Sequence, residues 1–531
     1  MLLVFATITL LTRFFRLTAA TATGTPVFDE KHYVPQAFDM VKDASNFITG
    51  GIELNPGYGL VVHPPLAKQI IAIGEFFFGY SPLGWRLMAA ICGTTTVLLI
   101  MLLARQLSRS RTAMTIAGVL GVCDGVLLVT SRFGMLDIFQ VLFIVAAALF
   151  AVQDFNQMHR RIHEAYFKYD GDWGSAYGPR FGFRWWRFAE GVMIGCSLSV
   201  KWSGLYYIAF FGVLSVALDW YLRHKYQAQR PLLGALLYDT IPALGSLFLM
   251  PVLLYVWAWR AWFSDETAVY RHAIREGVAT GWVTKLPDSL GNWIYYHQSV
   301  LKFHASLTNA NGHMHPWESK PWSWLVASRP ILYYSSNGTC MGGESCSGMI
   351  YLFGTPAIWW MTVPAIAWAL YSAVIRRRQR YILPLVAFAA GWLPWFSNFG
   401  RQMYFFYAAA LIPFTIVMIA MACHDLWGRG KDWPAMAKAA LEAKNAAQAD
   451  PELLDAPADS PAPAVATASK VGLGTKIALF FGRLNLTPGS LAVCIYMGLV
   501  VAAFIYWSPI LYGYMVPTSW YNSLMWLPSW K

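Results

Sequence analysis

An Asp-Glu pair follows the first apolar segment, in Phe28-Asp29-Glu30-Lys31-His32-Tyr33, and opens a polar loop that closes on Val62-His63-Pro64-Pro65-Leu66-Ala67-Lys68. Adjacent carboxylates at a bilayer edge are expensive to place, which points to chemistry done at that surface. Further charges stand at the ends of apolar segments: Arg16, Arg86, Arg132, Asp137, Lys201 and Arg401. Singly, each reads more readily as a snorkelling side chain or a structural ion pair than as a site residue. Together, cations beside carboxylates suit an anionic lipid headgroup next to a proton acceptor. Moving a sugar off a lipid phosphate releases a phosphate monoester, whose growing charge needs Arg or Lys donors. The attacking hydroxyl must lose a proton, and a positioned carboxylate can take it.

The elements that would hold these groups are membrane helices. The 531 residues are 57% hydrophobic and 13% charged, against about 25% charged in soluble domains. Apolar runs recur at 2–20, 85–103, 112–129, 138–152, 188–200, 205–221, 232–257, 349–374, 381–396, 403–423 and 491–507. A span needs roughly 20 residues, so the pattern predicts an all-α polytopic protein with about eleven transmembrane helices. More than half of the 40 basic residues fall in 105–111, 159–187, 223–230, 376–380 and 424–489, which the positive-inside rule makes cytoplasmic. The Asp-Glu loop, the long loop 259–350 and the C-terminus then face outward. The first span disagrees locally, because Arg13 and Arg16 sit at its outer end. A cleaved signal peptide ending near Ala20-Thr21-Ala22 is the other reading of that segment.

The net charge of +12 is explained by cytoplasmic loops beside anionic lipid and gives no reason to expect nucleic acid. This organisation predicts a core over 1–423 with outer loops 21–83 and 259–350, and a cytoplasmic segment 424–489. The latter contains an Ala/Pro-rich linker, 435–474, too poor in apolar residues to bury a core. The last span and an outer tail occupy 490–531, with the tail's Tyr512, Tyr514, Trp520, Tyr521, Trp526 and Trp530 expected as interfacial anchors. Loop 259–350 is expected to form a small cap of short helices. Cys340 and Cys346 in that loop are close enough to bridge, and an oxidising exterior permits it. His297, His304, His313 and His315 lack the spacing of a zinc site, so no metal is expected. Asn337-Gly338-Thr339 reads as an incidental sequon. Asp124, inside the apolar run Val122-Cys123-Asp124-Gly125, is read either as structural or as approaching the site.

Several stretches, in order, resemble the protein O-mannosyltransferases. They are Phe28-Asp29-Glu30, His63-Pro64-Pro65-Leu66-Ala67-Lys68, Arg132 with Leu136-Asp137, Ser199-Val200-Lys201-Trp202, His315 to Trp324, Arg329-Pro330 and Arg401 to Tyr407. The resemblance implies a GT-C fold and inverting transfer of mannose from polyprenyl phosphate mannose to Ser or Thr hydroxyls of proteins. It implies Asp29 as base and Glu30 as its neighbour in catalysis, with Arg16 and Arg86 near the donor phosphate. Lys201 and Arg401 are the further phosphate candidates, and His63, Lys68, Arg132, Asp137, His315 and Arg329 support the outer-loop site.

Two departures stand out. Loop 259–350 is far too short for the MIR domain of eukaryotic members, which points to the bacterial branch and its plasma membrane. Phe405-Phe406-Tyr407 replaces the family's Leu-Tyr-His, so no role for that His carries over. The implied partners are the lipid donor, acceptor polypeptides crossing the membrane, and membrane lipids. No cofactor beyond the donor is implied, and the oligomeric state is open. Two rival readings are a GT-C enzyme glycosylating a lipid and a transporter of an anionic lipid-linked substrate. The transporter would place charges at mid-membrane and break its helices there.

Overall fold

The computed structural model describes residues 1–42, 52, 57–58, 61–340, 343–429, 438–439, 441–442 and 487–531. Most of the expected linker 435–474 lies outside them. Contacts divide the chain into a large unit, Met1–Ala420 with Val500–Lys531, and a small one, Met421–Leu499.

Helices α1 (Leu2–Phe14), α2 (Glu30–Lys42), α3 (Leu66–Phe78), α4 (Pro82–Ser108), α5 (Arg111–Cys123), α6 (Gly125–Thr130) and α7 (Asp137–Lys168) form the first half. They are followed by α8 (Trp185–Val200), α9 (Gly204–Lys225) and α10 (Pro231–Ala258), the last containing two π-helical turns. Then come α11 (Asp288–Ser306), α12 (Pro356–Ile375), α13 (Ile382–Trp392), α14 (Ile412–Trp427) and α15 (Pro488–Tyr512). Among the described residues, six helices are long and apolar enough to cross a membrane: α4, α7, α9, α10, α12 and α15. The protein is a multi-span membrane protein. The other five expected spans are helical but short or interrupted, so length alone does not assign them as crossings.

Local sequence explains the boundaries. Ser81 starts α4 by accepting from the Gly84 amide at 3.2 Å, with Pro82 behind it, where a missing N–H costs nothing. Ser110 caps α5 in the same way. Between α5 and α6 the helix breaks at Asp124, which caps α6 through the Leu127 amide at 2.8 Å. The Thr355 hydroxyl fills the gap, accepting from the Gly125 amide and donating to the Cys123 carbonyl. A side-chain hydroxyl thereby replaces the solvent that a buried break lacks. Asp124 also accepts from the Trp359 indole at 2.8 Å, so its role is structural.

Helix α7 packs along α4 and α8, and α8 along α10. The last crossing requires glycine: a Cβ on Gly191 would lie 1.8 Å from the Ser246 carbonyl oxygen. Small residues are what let helices approach this closely in a membrane.

Loop 259–350 departs from a purely helical cap. Strands β1 (Ile331–Thr339) and β2 (Ser345–Leu352) form an antiparallel hairpin, and β3 (Val516–Pro517) from the tail adds to it. The Cys340–Cys346 disulfide closes the hairpin turn, with Cα atoms 5.7 Å apart. The apolar residues 349–352, expected to begin a span, instead pair with Ile331, Leu332, Tyr334 and Ser335, and the helix starts at Pro356. The tail aromatics also divide. Trp520 and Trp526 are exposed, whereas Tyr512 and Trp530 are buried in the protein.

Candidate active site

Phe28 adopts the left-handed conformation (φ 52°), unusual for a bulky residue and common where a site fixes its backbone. Its ring stacks on Tyr333 at 4.3 Å. The turn it makes starts α2, and the next two side chains part company. Asp29 lines a cavity of about 340 Å³ together with Tyr33, His63, Asp137, Lys201 and Arg401. Glu30 is fully buried and grips Arg86, Oε1 to Nε and Oε2 to Nη2 each at 2.8 Å. The same carboxylate accepts from the Gly134 and Val27 amides at 2.7 and 3.2 Å. Arg86 spends its remaining donors on the Leu17 and Ala20 carbonyls at 2.8 and 2.7 Å. This pair is a clamp between the first loop, α4 and the turn before α7.

Other expected site residues also sit away from the cavity lining. The exposed Arg16 lies over the Tyr514 ring. Arg132 donates to the carbonyls of Thr12, Arg13, Phe15 and Arg16, closing the end of α1. Cations suit a helix C-terminus. Lys68 is buried beside Gln36. Arg329 binds the carbonyls of Pro316 and Ser529. His315 is exposed and packs edge-on against Tyr404.

The cavity wall keeps four charges. Lys201 pairs with Asp137 at 2.7 Å, and the second Asp137 oxygen is buried without a hydrogen-bond partner. Arg401 approaches the His304 ring at 3.5 Å and lies over Trp395. Burial pushes the Asp29 carboxyl above the ordinary carboxylate range; Lys201, His32 and His315 oppose the rise and Asp137 adds to it. Burial pulls His63 well below its usual range, helped by Lys201, His304, Lys68 and Arg401. The same causes, burial then Arg401, take His304 down to about 4. The site therefore offers a strengthened carboxylate base, two cations and two neutral imidazoles.

Residues 6–263 match the family described as dolichyl-phosphate-mannose-protein mannosyltransferase, and residues 289–432 match the C-terminal four-transmembrane region of protein-O-mannosyltransferase. A polyprenol-phosphate-mannose–protein mannosyltransferase of Corynebacterium glutamicum is 54% identical over 531 residues, 99% of this chain and 92% of the relative. The chain belongs to the protein O-mannosyltransferase family. A second member, from Mycobacterium tuberculosis, is 40% identical over 98% of this chain and 89% of its own length. The fold is GT-C. The S. cerevisiae protein O-mannosyltransferase Pmt1-Pmt2 complex bound to the sugar donor matches with TM-score 0.66 and 15% identity, covering 100% of this chain and 92% of that one. ArnT from Cupriavidus metallidurans bound to undecaprenyl phosphate matches with TM-score 0.51 and 14% identity, over 96% of this chain and 76% of that one. At those identities the likeness is one of fold.

For this family member, sequence reasoning missed Tyr33, Gln140 and the cavity role of His304. Two had a signal. Tyr33 follows Asp29 by one helical turn and Gln140 follows Asp137 by three residues, so each shares a face with a residue already singled out. Gln140 holds the turn after Lys201 through the Lys201 carbonyl at 3.3 Å and the Ser203 hydroxyl at 2.9 Å. Nothing in the sequence marked His304.

Proposed function

We propose that this chain transfers mannose from polyprenyl phosphate mannose to Ser and Thr hydroxyls of proteins, with inversion, at the outer face of a bacterial plasma membrane. One observation carries the reading: the carboxylate of Asp29 shares one cavity with Lys201 and Arg401, in a chain whose full-length relatives bear that activity in their names. The acceptor oxygen attacks C1 of mannose from the face opposite the phosphate. The C1–O bond to phosphate breaks with its electron pair going to the phosphate oxygen, and the hydroxyl proton passes to Asp29. Lys201 and Arg401 are the groups placed to meet the charge that grows on the leaving phosphate. Raising the pKa of Asp29 strengthens it as a base, which suits proton removal near neutral pH. The outward placement rests on the positive-inside rule: no residue lining the cavity falls in the Lys/Arg-rich stretches 105–111, 159–187, 223–230, 376–380 and 424–489.

The test uses membranes containing the protein, radiolabelled polyprenyl phosphate mannose and a Ser/Thr-rich peptide. Label is expected on peptide hydroxyls in the β-eliminable linkage of a Ser or Thr glycoside. Label found on lipid and none on peptide would identify a glycolipid transferase instead.

A further inference from the structure

The short loop between α8 and α9 sends two successive side chains into the lining of the catalytic cavity, Lys201 and Trp202. The half-buried Trp202 is held in one orientation by a chain of hydrogen bonds. Its indole N–H donates to the Tyr255 hydroxyl of α10 at 2.8 Å, and that hydroxyl lies 2.7 Å from Nε2 of His297 on α11. Nδ1 of His297 is 2.7 Å from the Trp293 carbonyl, which can only accept, so Nδ1 carries the proton. Burial brings His297 down to about 4, against the raising effect of that carbonyl. The imidazole is therefore neutral, and its Nε2 accepts from Tyr255. Each donor in the chain has one acceptor, which leaves it a single direction. On the other flank Gln140 of α7 holds the Lys201 carbonyl and the Ser203 hydroxyl, so the loop is clamped from both sides. One face of the Trp202 indole stacks on His297 at 5.7 Å and 24°, and His304 meets the ring edge-on at 6.2 Å. Among the described residues no ring stacks on the other face. Two further aromatic side chains of the lining are already engaged. Trp395 stacks on Tyr407 at 4.3 Å with Arg401 5.6 Å from its centroid, and Phe406 lies under Lys201 and against Tyr404.

We propose that the Trp202 ring is the surface on which the mannose of the lipid-linked donor packs, and that Tyr255 is the residue that positions it; this rests on the donor proposed above. The sugar is bonded directly to the phosphate that Lys201 is placed to meet, so the side chain next to Lys201 is the one beside the sugar. A pyranose presents a face of C–H bonds carrying partial positive charge, and the face of an indole carries the negative part of its quadrupole. The charged groups of the cavity serve phosphate and hydroxyl oxygens and offer nothing to that C–H face. A ring locked before the donor arrives spends little conformational entropy on binding. The contact also separates donor from product. The spent polyprenyl phosphate keeps the phosphate and the chain but has no sugar, so it gains nothing from Trp202 and leaves more readily than the donor.

The experiment compares two constants in membranes containing the full chain: the KM for polyprenyl phosphate mannose and the inhibition constant of bare polyprenyl phosphate. Trp202→Leu should raise the donor KM about tenfold, the scale of one aromatic contact, while inhibition by the bare lipid phosphate and the KM for peptide stay as in wild type. Trp202→Phe, which keeps a ring, should recover most of that loss. Tyr255→Phe removes only the hydroxyl to which the indole donates, and should raise the donor KM about threefold, the scale of one neutral hydrogen bond, again without changing inhibition by the bare lipid. An unchanged donor KM in Trp202→Leu overturns the assignment. So does an equal loss for donor and bare lipid in both Trp202→Leu and Tyr255→Phe, because a displaced Lys201 loop weakens both ligands alike. Peptide left unlabelled by wild type would instead remove the donor reading, and this assignment with it.

Discussion

Asp29 is held where burial favours its neutral form, and this has two measurable consequences. A raised pKa means that the base becomes protonated, and inactive, over a pH window above the ordinary aspartate value of about 3.9. The kcat/KM profile should therefore fall on its acid side at a higher pH than an exposed carboxylate would give. For stability the sign is opposite. The burial penalty is absent below the unfolded pKa and fully present above the folded one, so Asp29→Asn should leave Tm at neutral pH unchanged or raised. The same variant should lose about 10²–10⁴-fold in transfer; a normal rate in a folded Asp29→Asn protein would remove Asp29 from the mechanism. Glu30 and Arg86 behave differently, because breaking a buried pair strands a charge at about 3–5 kcal/mol. Arg86→Ala should lower Tm and the yield of folded protein before any kinetic effect is read. A stable Arg86→Ala enzyme with only a raised donor KM would instead place that arginine on the phosphate. Residue types in the sequence announced the charges but not their partners. Asp29, Glu30, Lys201 and Arg86 look alike as costly charges near a membrane edge, and only the fold decides that one carboxylate faces the cavity while its neighbour faces an arginine.

Among the elements, the helices were the legible part, since each expected apolar run contains helical structure in the described residues. The hairpin was not. Its second strand ends in the apolar stretch Met349–Leu352 immediately before α12, so hydropathy alone merges the strand with the span. The disulfide lies in that hairpin, and neither cysteine is in the lining of the catalytic cavity. Replacing both cysteines by serine should lower Tm, by the loss of roughly 2 kcal/mol expected for a short closed loop, while transfer at low temperature stays near wild type. Loss of transfer without loss of stability would tie the hairpin to the acceptor. At the α8–α10 crossing, Gly191→Val should destabilise the fold, because the new side chain meets the Ser246 backbone rather than a flexible neighbour. Thermal unfolding in detergent reads both.

For the molecule as a whole, the placement of the cavity is a statement about which compartment sees it. Thr25 is exposed in the loop before Asp29, and Arg376 is exposed in the basic turn after α12. In intact cells, Thr25→Cys should react with an impermeant maleimide, and Arg376→Cys should react only after lysis; the reverse pattern would invert the protein and end the outward assignment. The Glu30 clamp has a further consequence for how substrate must arrive. One Cα step of 3.8 Å separates the anchored residue from Asp29, so the proposed proton acceptor has a backbone held close to the clamp. Glu30 is tied at once to the loop, to α4 and to the turn preceding α7. On the proposed mechanism the travelling partner is the acceptor polypeptide, whose hydroxyl has to be carried to Asp29.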